Sequence, residues 1–464
     1  MPDAPATSRS TSGGHETLDR GITLIDAGLL NEAVHALESA VATFVAAADP
    51  TGEAAARTNL GTALRLNERV ADAISEHERA CQLFQREGDR LGEAQAWGNL
   101  GSALAEAERF PEAVSALEAA VTAFEEMGDR EGEVSARTNL GTALLMAGRL
   151  EDAVAVREHT MESAGGLDRH AQRLALSRLA AALAAAGRFA DAAARYDRLA
   201  GLCATEGDVP GEVDALERRV RALARAGDRA EVIPVYRRLV ELAEQAGDQR
   251  RQGRISGILG VALCRQGDFA AAVGYLEVAD RTKESASRKE QLERRHYLGV
   301  ALLEVGRPED AAAVLERVVQ SCRPESDGGF AGEAHNNLGA ALHELERFAE
   351  AAPHYEHAHG YFAAAGNTYK QGLASHNLSD VLIETRQYVA AIAAAEEAER
   401  SFAATGQHGL EGEALLRHGE ARLLTGQRQT GIQVLRRAQE ILRTHGDEEA
   451  RVAARELLAQ AEGT

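Results

Sequence analysis

The sequence contains few of the residues from which sheets, disulfide frameworks and metal sites are built. Among its 464 residues, aromatic side chains make up 4%, and only four residues are cysteines. No segment alternates apolar and polar residues with the period of two that a half-buried strand requires. The cysteines show no paired spacing; they are Cys81, Cys203, Cys264 and Cys322. We therefore expect no sheet, and we expect reduced thiols in a cytoplasmic protein.

Long apolar runs and an excess of basic charge are also missing. No stretch reaches the roughly 20 apolar residues that a membrane-spanning helix needs. The formal net charge is -21, whereas a nucleic acid as primary partner would require a basic face and a basic balance. The first residues, Met1 to Glu16, are rich in Ser, Thr, Pro and Gly and lack an apolar run, so they do not form a signal peptide. These absences argue against a membrane or a nucleic acid as partner.

Motifs of familiar catalytic and metal sites are absent as well. The sequence has no nucleophile elbow, no phosphate-binding glycine loop and no metal-ligand set of known spacing. Its densest histidine group is His354, His357 and His359, and two histidines three residues apart can share a helix face and hold a metal. Tyr355 and Ala358 occupy the packing positions, however, which turns His354 and His357 outward. We therefore predict no catalytic residue, no metal site and no cofactor.

The chain does contain a repeat of about 40 residues that runs through almost its whole length. The most recognisable element of the repeat is a Leu-Gly step. This step falls at Leu60-Gly61, Leu100-Gly101, Leu140-Gly141, Leu259-Gly260, Leu298-Gly299 and Leu338-Gly339. Further, degenerate copies of the step bring the predicted number of units to eleven. The sixth and the eleventh are the weakest copies.

Within each unit the apolar residues follow a helical spacing. In the third unit Leu100, Leu104, Ala113, Leu117 and Ala120 lie three or four residues apart, or multiples of these intervals. Between units lies a polar break that reads Gly-Asp-Arg-x-Gly-Glu in its best copies. Its first glycine suits the left-handed residue that often ends a helix. Each unit is therefore predicted to form two antiparallel helices.

These residues resemble the tetratricopeptide repeat family. Trp97, Leu100, Gly101, Leu104 and Ala113 follow the family's order of an aromatic residue, a Leu-Gly step, a leucine and a small residue on the second helix. The long unit and its polar breaks resemble the variant seen in spindle-orientation scaffolds, kinesin light chains and bacterial regulators. The resemblance implies an all-α fold, an α-solenoid superhelix of about eleven antiparallel helix pairs with a C-terminal capping helix.

The predicted domain organisation follows from this resemblance. We expect residues 1–16 to form a disordered N-terminal tail and residues 17–445 to form the repeat array. Residues 446–464 are expected to contain the capping helix and a short tail, because an array needs a helix that covers its open apolar edge.

In the family that the chain resembles, the first helix of each pair lines a concave groove. The residue before the Leu-Gly leucine points into that groove, and it is an asparagine in five units. We name these residues the asparagine ladder: Asn59, Asn99, Asn139, Asn337 and Asn377. An amide both donates and accepts hydrogen bonds, so a row of amides suits the backbone of an extended peptide. The ladder therefore predicts peptide binding. The alternative is that its amides form hydrogen bonds between repeats and order the array.

Arginines interrupt the ladder in the middle of the chain. Arg178 and Arg218 stand at the ladder position itself. Nearby groove-side positions add Arg221, Arg225, Arg254 and Arg265. A planar guanidinium donates two parallel hydrogen bonds to a carboxylate or a phosphate, so these six arginines predict an anion-binding site. The alternative is local pairing with acids such as Asp214, Glu217 and Glu231 across helix turns.

The sequence thus predicts a noncatalytic protein that holds an extended, acidic segment of a protein or peptide partner in its groove. The resemblance to bacterial repeat proteins that sense peptides and regulate transcription implies a scaffold or a regulatory sensor. A composition rich in Ala, Arg and Gly fits a bacterial source. The second hypothesis is an enzyme or small-molecule binder whose site occupies the irregular central repeats.

Overall fold

The computed structural model describes residues 7–164, 168–282 and 287–463, and all regular secondary structure in these ranges is helical. The chain divides into two compact units, Met1–Val235 and Tyr236–Thr464. The predicted all-α repeat fold is confirmed: the described residues form 23 helices, which follow one another as eleven successive pairs and one final helix.

The helices of the first unit are α1 (Thr7–Asp26), α2 (Leu30–Ala47), α3 (Pro50–Leu66), α4 (Val70–Glu87), α5 (Arg90–Glu106), α6 (Phe110–Met127), α7 (Arg130–Met146), α8 (Leu150–Ala164), α9 (Arg169–Ala185), α10 (Phe189–Glu206) and α11 (Val209–Ala226). The next helix, α12 (Val232–Gln245), contains the division between the units. The second unit continues with α13 (Gln249–Gln266), α14 (Phe269–Arg281), α15 (Arg288–Glu304), α16 (Pro308–Ser321), α17 (Pro324–Glu344), α18 (Phe348–Ala364), α19 (Thr368–Glu384), α20 (Tyr388–Ala404), α21 (His408–Leu424), α22 (Arg428–His445) and α23 (Glu448–Gly463).

The Leu-Gly glycine allows the two helices of a pair to approach closely. In the third pair a Cβ atom added to Gly101 would lie 2.5 Å from Leu117 Cγ and 3.2 Å from the carbonyl oxygen of Ala113. Leu117 and Ala113 are fully buried. The leucine thus packs directly on the glycine backbone, and every larger side chain at position 101 would have to displace it.

The polar breaks between pairs end one helix and cap the next through hydrogen bonds among their own residues. Gly88 ends α4 with a left-handed backbone, φ 75°, as the sequence predicted. Asp89 then caps α5, because its carboxylate accepts a hydrogen bond of 3.0 Å from the amide of Gly92. The second glycine has a steric role, since a Cβ at Gly92 would lie 2.5 Å from the ring of Phe84. The same aspartate cap recurs at Asp49, Asp129, Asp168, Asp208 and Asp248.

The turn inside a pair uses a different device. The residue before the second helix is an arginine in several pairs, and its side chain makes no cap hydrogen bond to the backbone. It pairs instead with an acid three residues later, as Arg109 does with Glu112 through two hydrogen bonds. The same pairing joins Arg69 with Asp72, Arg149 with Asp152, Arg188 with Asp191, Arg307 with Asp310 and Arg347 with Glu350. A carboxylate in the first turn also favours the helix because it lies near the positive end of the helix dipole.

The N-terminal helix extends into the segment that the sequence assigned to a disordered tail. Helix α1 begins at Thr7, whereas the predicted boundary lies at residue 16; the preceding residues lie outside the described ranges. Two contacts hold this part of α1 on α2. The ring of His15 lies edge-on to Phe44, 5.0 Å between centroids, and Gly14 sits directly against the same phenylalanine ring.

No helix of the described residues is both long enough and apolar enough to cross a membrane. The four cysteines are unpaired: Cys81, Cys203 and Cys264 are buried, and Cys322 is half-buried. Burial raises the pKa of the Cys81 thiol to about 12 and that of Cys264 to about 11, so both thiols stay protonated near neutral pH.

Candidate functional site

In much of each unit the first helices of successive pairs contact one another. In the first unit α3 contacts both α1 and α5, and α5 contacts α7. In the second unit the same contacts link α13, α15, α17, α19 and α21 in sequence. Extensive contacts between neighbouring second helices do not occur among the described residues. The first helices from α1 to α7 and from α13 to α21 therefore form two continuous rows, and the face of each row is a candidate groove. Contacts of this extent do not link α7, α9 and α11 within the described residues.

The asparagine ladder of the first unit lies on three of these helices. The side-chain nitrogen of Asn59 on α3 donates a hydrogen bond of 2.9 Å to the carbonyl oxygen of Ala55 on the same helix. Asn139 on α7 is exposed and lies 3.3 Å from the hydroxyl of Ser102 on α5. Asn99 on α5 is half-buried, and its amide makes no hydrogen bond within the described residues. The whole amide of Asn99 is therefore available to a ligand, whereas the amide nitrogens of Asn59 and Asn139 already donate within the protein.

A row of hydroxyl groups accompanies these amides. Thr62, Ser102 and Thr142 follow the Leu-Gly glycines of the second, third and fourth pairs. Each hydroxyl donates to a carbonyl of the preceding helical turn, at 3.1, 2.9 and 3.1 Å respectively. Their oxygens keep the ability to accept a further hydrogen bond. The groove face of the first unit thus presents amides and hydroxyl acceptors at a regular spacing.

In the second unit the ladder residues bond to neighbouring first helices. The side-chain nitrogen of Asn337 lies 2.7 Å from Nε2 of His296, on the preceding first helix. Asn377 donates to the side-chain oxygen of Asn336, at 3.3 Å, across the next such interface. These two residues follow the alternative that the sequence left open, in which the ladder joins repeat to repeat.

The six predicted anion-binding arginines are divided between the two units. Arg178, Arg218, Arg221 and Arg225 lie in the first unit, and Arg254 and Arg265 lie in the second. Two of them pair locally, as the alternative predicted. Arg218 donates to Asp214 at 2.8 Å, and this bond raises its pKa. Arg265 donates to the hydroxyl of Tyr297 at 3.3 Å and to Glu293 at 3.2 Å.

The remaining arginines differ in their surroundings. Arg225 is exposed and lies over the ring of Phe189, 5.8 Å from its centroid. Arg221 and Arg254 are both exposed. Arg178 is half-buried at the ladder position of α9, and no carboxylate of the described residues lies within ion-pair distance of it. Burial lowers its pKa, which is the opposite of the shift at Arg218.

One residue that sequence reasoning missed is Arg157, on the second helix of the fourth pair, α8. It stands sixteen residues after Gly141, a position that a leucine occupies in the first and third pairs, at Leu37 and Leu117. His77 holds the same position in the second pair, and it is completely buried with neither ring nitrogen hydrogen-bonded. Comparing residues at this fixed offset along the repeats would have revealed both departures.

The histidine group singled out in the sequence is divided between two contacts. His354 lies 2.9 Å from His335 through their Nδ1 atoms, and His357 stacks on His335 with 5.0 Å between ring centroids. His359 points elsewhere, with its Nδ1 2.8 Å from the hydroxyl of Ser375. Among the described residues no three His, Cys, Asp or Glu side chains are arranged to hold a metal ion.

A cavity of about 600 Å³ opens between α15 and α17 in the second unit. Its apolar wall is formed by Leu292, Val300 and Phe330, and His296 and Tyr297 add polar groups. The acids around it have cationic partners: Glu293 pairs with Arg265, Asp327 with Arg288 and Glu333 with Lys370. The cavity is therefore a partly apolar recess whose surrounding charges are largely compensated.

Comparison with known protein families agrees with this architecture. A tetratricopeptide repeat profile matches residues 52–126 and 92–164 in the first unit. A second tetratricopeptide repeat profile matches residues 297–367 in the second unit. The chain is a tetratricopeptide repeat protein. The matched residues cover most of α3 to α8 in the first unit and reach from α15 to α18 in the second, so the repeats of the profile are the helix pairs described above.

Several solved structures are similar to this tetratricopeptide repeat protein at low identity. The nearly identical TPR-like repeats of a putative kinesin light chain from Podosopora anserina are 19% identical and have a TM-score of 0.38; the match covers 41% of this chain and 95% of that one. The apo form of RapI is 11% identical with a TM-score of 0.41, over 57% and 96% of the two chains. BtubC from P. vanneervenii is 17% identical with a TM-score of 0.37, over 47% and 91%. No curated protein sequence matches the chain significantly.

Proposed function

We propose that this tetratricopeptide repeat protein is a noncatalytic scaffold or regulatory sensor that holds an extended segment of a protein partner on the groove face of its first unit. One observation carries the proposal. Asn59, Asn99 and Asn139 stand 40 residues apart on adjacent first helices, beside the hydroxyl row, and the amide of Asn99 has no partner within the described residues. Such a row offers donors and acceptors to a peptide backbone whatever side chains it bears.

Charge supports an acidic segment as the ligand. The whole chain is acidic, with a formal net charge of -21, so an acidic partner would be repelled by most of the surface. Positive groups follow the ladder directly on the next first helices, namely Arg178 on α9 and Arg221 on α11. One part of an extended acidic segment could therefore accept hydrogen bonds from the ladder amides, while a following part lies near Arg178 and Arg221.

The unpaired cysteines support a cytoplasmic location for this binding reaction. None of the four forms a disulfide, and thiols of this kind persist in reducing compartments.

Affinity capture tests the proposal. The full chain, immobilised, is expected to retain a defined protein, and a double variant Asn99→Ala with Asn139→Ala is expected to retain less of it. Each lost hydrogen bond should contribute about 0.5–1.5 kcal/mol, so the pair should weaken binding by about five- to 150-fold. The matched control is Asn67→Ala, because Asn67 bonds Asn31 at the turns and lies outside the ladder. Equal loss from the control variant, or undiminished capture by the double variant, would exclude the ladder as the site.

A second candidate function is small-molecule binding in the second unit. The cavity between α15 and α17 has a volume of about 600 Å³, within the range of ligand pockets. Its apolar wall and the paired His296 and Asn337 would suit a small amphipathic compound. Native mass spectrometry of the purified chain tests this candidate: a stoichiometric bound metabolite supports it, and Val300→Trp should then displace the metabolite by filling the cavity.

A further inference from the structure

Arg157 lies where the repeat normally places an apolar side chain. In the first and third pairs the equivalent residue is a fully buried leucine, Leu37 or Leu117, which packs on the Leu-Gly glycine. Arg157 takes that place in the fourth pair: a Cβ at Gly141 would lie 3.0 Å from its Nε atom. Only 6% of the residue is exposed. A guanidinium group has thus replaced a hydrocarbon in the core of the pair.

This buried charge has no acidic partner. Its Nε atom makes no hydrogen bond, and Nη2 reaches only the hydroxyl of Thr142, at 3.4 Å. Thr142 uses its own proton to bond Thr138, so it accepts from Arg157 and holds the guanidinium in place. No carboxylate of the described residues lies within ion-pair distance of Arg157. A buried, unpaired charge is strongly unfavourable unless an opposite charge compensates it.

Several partly buried arginines on the first helices of this unit show what Arg157 lacks. Arg57 pairs with Glu53 and Glu76. Arg137 pairs with Glu125 and Glu133, and Arg173 pairs with Glu206 and Asp208. Each of these three therefore has two carboxylates, whereas Arg157 has none.

A second unpaired guanidinium lies on the next helix, α9, which packs against α8. Arg178 on α9 is half-buried and, like Arg157, has no carboxylate within ion-pair distance among the described residues. Burial, together with the positive charge of Arg178, lowers the pKa of Arg157 to about 10. Two cations that repel one another and face no acid create a strongly positive spot on an acidic chain.

We propose that Arg157 and Arg178 together bind an oxyanion, a carboxylate or phosphate group of a ligand that lies in the groove of the first unit. Two guanidiniums can each donate hydrogen bonds to separate oxygens of one such group. Thr142 is exposed on α7, so the charged end of Arg157 lies just beneath the groove surface. The identity of the molecule that carries the group rests on the proposed function; the binding of the anion itself does not.

The location of this site would give a bound segment its register. Asn59, Asn99 and Asn139 occupy the ladder position on α3, α5 and α7, and Arg178 occupies the same position on the next first helix, α9. An anionic group held there would fix one point of an extended chain, while the amides contact its backbone without regard to sequence. The anion site thus supplies the specificity that the ladder lacks.

Anion binding by the full chain without any partner tests the inference. Thermal unfolding is measured in sodium phosphate, in sodium acetate and in sodium chloride, all at equal ionic strength so that general screening is constant. Phosphate or acetate is expected to raise the melting temperature above the chloride value, because a ligand that binds only the native state stabilises it. The anion with the larger effect identifies the preferred group. No excess over chloride with either anion overturns the proposal.

Two variants restore the residues that other repeats have at these positions. Arg157→Leu should raise the melting temperature in chloride, since it removes the buried charge, and should abolish the additional effect of the anion. Arg178→Asn should weaken the anion affinity by about tenfold or more through the loss of a charge-assisted bond. The control is Arg149→Gln, at the turn that precedes α8, whose arginine already pairs with Asp152; it should leave the anion response intact.

The outcomes separate this inference from the proposed function. Retention of the full anion response in both Arg157→Leu and Arg178→Asn would refute the site, whatever the capture experiment gives. An anion response that both variants abolish would support the site even where Asn99→Ala with Asn139→Ala leaves partner capture unchanged. In that case the groove binds an anionic ligand but not a peptide along the ladder.

Discussion

The two units use the same repeat to build two different groove faces. In the first unit the ladder carries amides and hydroxyls, followed by unpaired cations at Arg157 and Arg178. In the second unit the corresponding amides are engaged, Asn337 with His296 and Asn377 with Asn336. Ten of the 15 histidines of the chain also lie in the second unit. Asn139 of the first unit also has a partner on the preceding first helix, Ser102. The difference between the units therefore rests on Asn99, whose amide makes no hydrogen bond within the described residues.

Lowering the pH should give the largest effect on stability, and it should affect both units. Burial, reinforced by the charge of Arg65, lowers the pKa of His77 to about 4. Burial, together with the charges of His354 and His357, lowers the pKa of His335 to about 4 as well. Between about pH 6.5 and 4 each of these two histidines is protonated in the unfolded chain but neutral in the native protein. Stability should therefore fall as the pH drops through this window, by at most about 1.4 kcal/mol per pH unit for each histidine.

His77→Leu isolates the contribution of the first unit. The leucine is the residue of the first and third pairs at this position, so the variant should pack well, and its melting temperature should depend less on pH than that of the parent chain. His35→Leu is the control, because the His35 side chain is 83% exposed. Parallel melting curves for parent and His77→Leu across this pH window would show that His77 is not buried in its neutral form.

Enlarging a Leu-Gly glycine should destabilise either unit, since both use the same close packing. Gly101→Leu in the first unit and Gly299→Leu in the second should each cost about 1–3 kcal/mol or more by overpacking. A Cβ at either glycine would collide with a fully buried leucine, Leu117 or Leu315. Chemical denaturation measures the loss.

Gly98→Ala provides the matched control on the same helix as Gly101. A Cβ at Gly98 would meet no atom within 4 Å, and alanine in a helix is favoured over glycine by about 1 kcal/mol. This variant should be neutral or more stable than the parent. If Gly101→Leu also left the midpoint unchanged, the predicted helix contact would be wrong.

Replacing a ladder residue should lower stability in the second unit but not at Asn99 in the first. Asn337→Ala removes a hydrogen bond to the buried His296 and should lower stability by about 1 kcal/mol. Asn99→Ala removes no hydrogen bond within the described residues and should leave the denaturation midpoint unchanged. The comparison of the two midpoints is the measurement, and equal losses would mean that both units use the ladder for inter-repeat order.

The smallest effect is expected from the exposed arginines of α11. Arg218 and Asp214 are 40% and 55% exposed, so Arg218→Ala should change stability by less than about 0.5 kcal/mol. Together with Arg221→Ala it should still weaken capture of an acidic partner at low salt. That loss should shrink as ionic strength rises, because the charges are screened. A salt-independent loss would point to a structural rather than an electrostatic role.

The fold could be predicted from the sequence because its determinants are local. Leu100-Gly101, the small Ala113 and the Gly88-Asp89 connector act within a few residues of one another, and the structure places them as their spacing indicates. The extent of α1 was not anticipated. Its first turns contain Ser, Thr and Gly, and what holds Gly14 and His15 is Phe44 on another helix.

The candidate site was predictable only in part. The ladder positions follow from the repeat register, but their hydrogen bonds depend on neighbours about 40 residues away, such as His296 for Asn337 and Ser102 for Asn139. Arg178 stood out because it replaced an asparagine. Arg157 did not stand out by itself, because an arginine on a helix is ordinary. It becomes unusual once it is compared with Leu37 and Leu117 at the same offset from the repeat glycine. The grouping of six arginines into one site was too broad, because Arg218 and Arg265 have local acidic partners.

The connectors between helix pairs have a consequence for how such a chain can change its length. The hydrogen bonds of a connector close within the residues from Phe84 to Gly92: the amide of Asp89 bonds the carbonyl of Phe84, and its carboxylate bonds the amide of Gly92. A deletion of residues 89–128 would join Gly88 to Asp129, and the new junction would again read Gly-Asp-Arg-Glu-Gly-Glu. Duplication or loss of one helix pair at a time can therefore lengthen or shorten this protein without leaving a helix end uncapped.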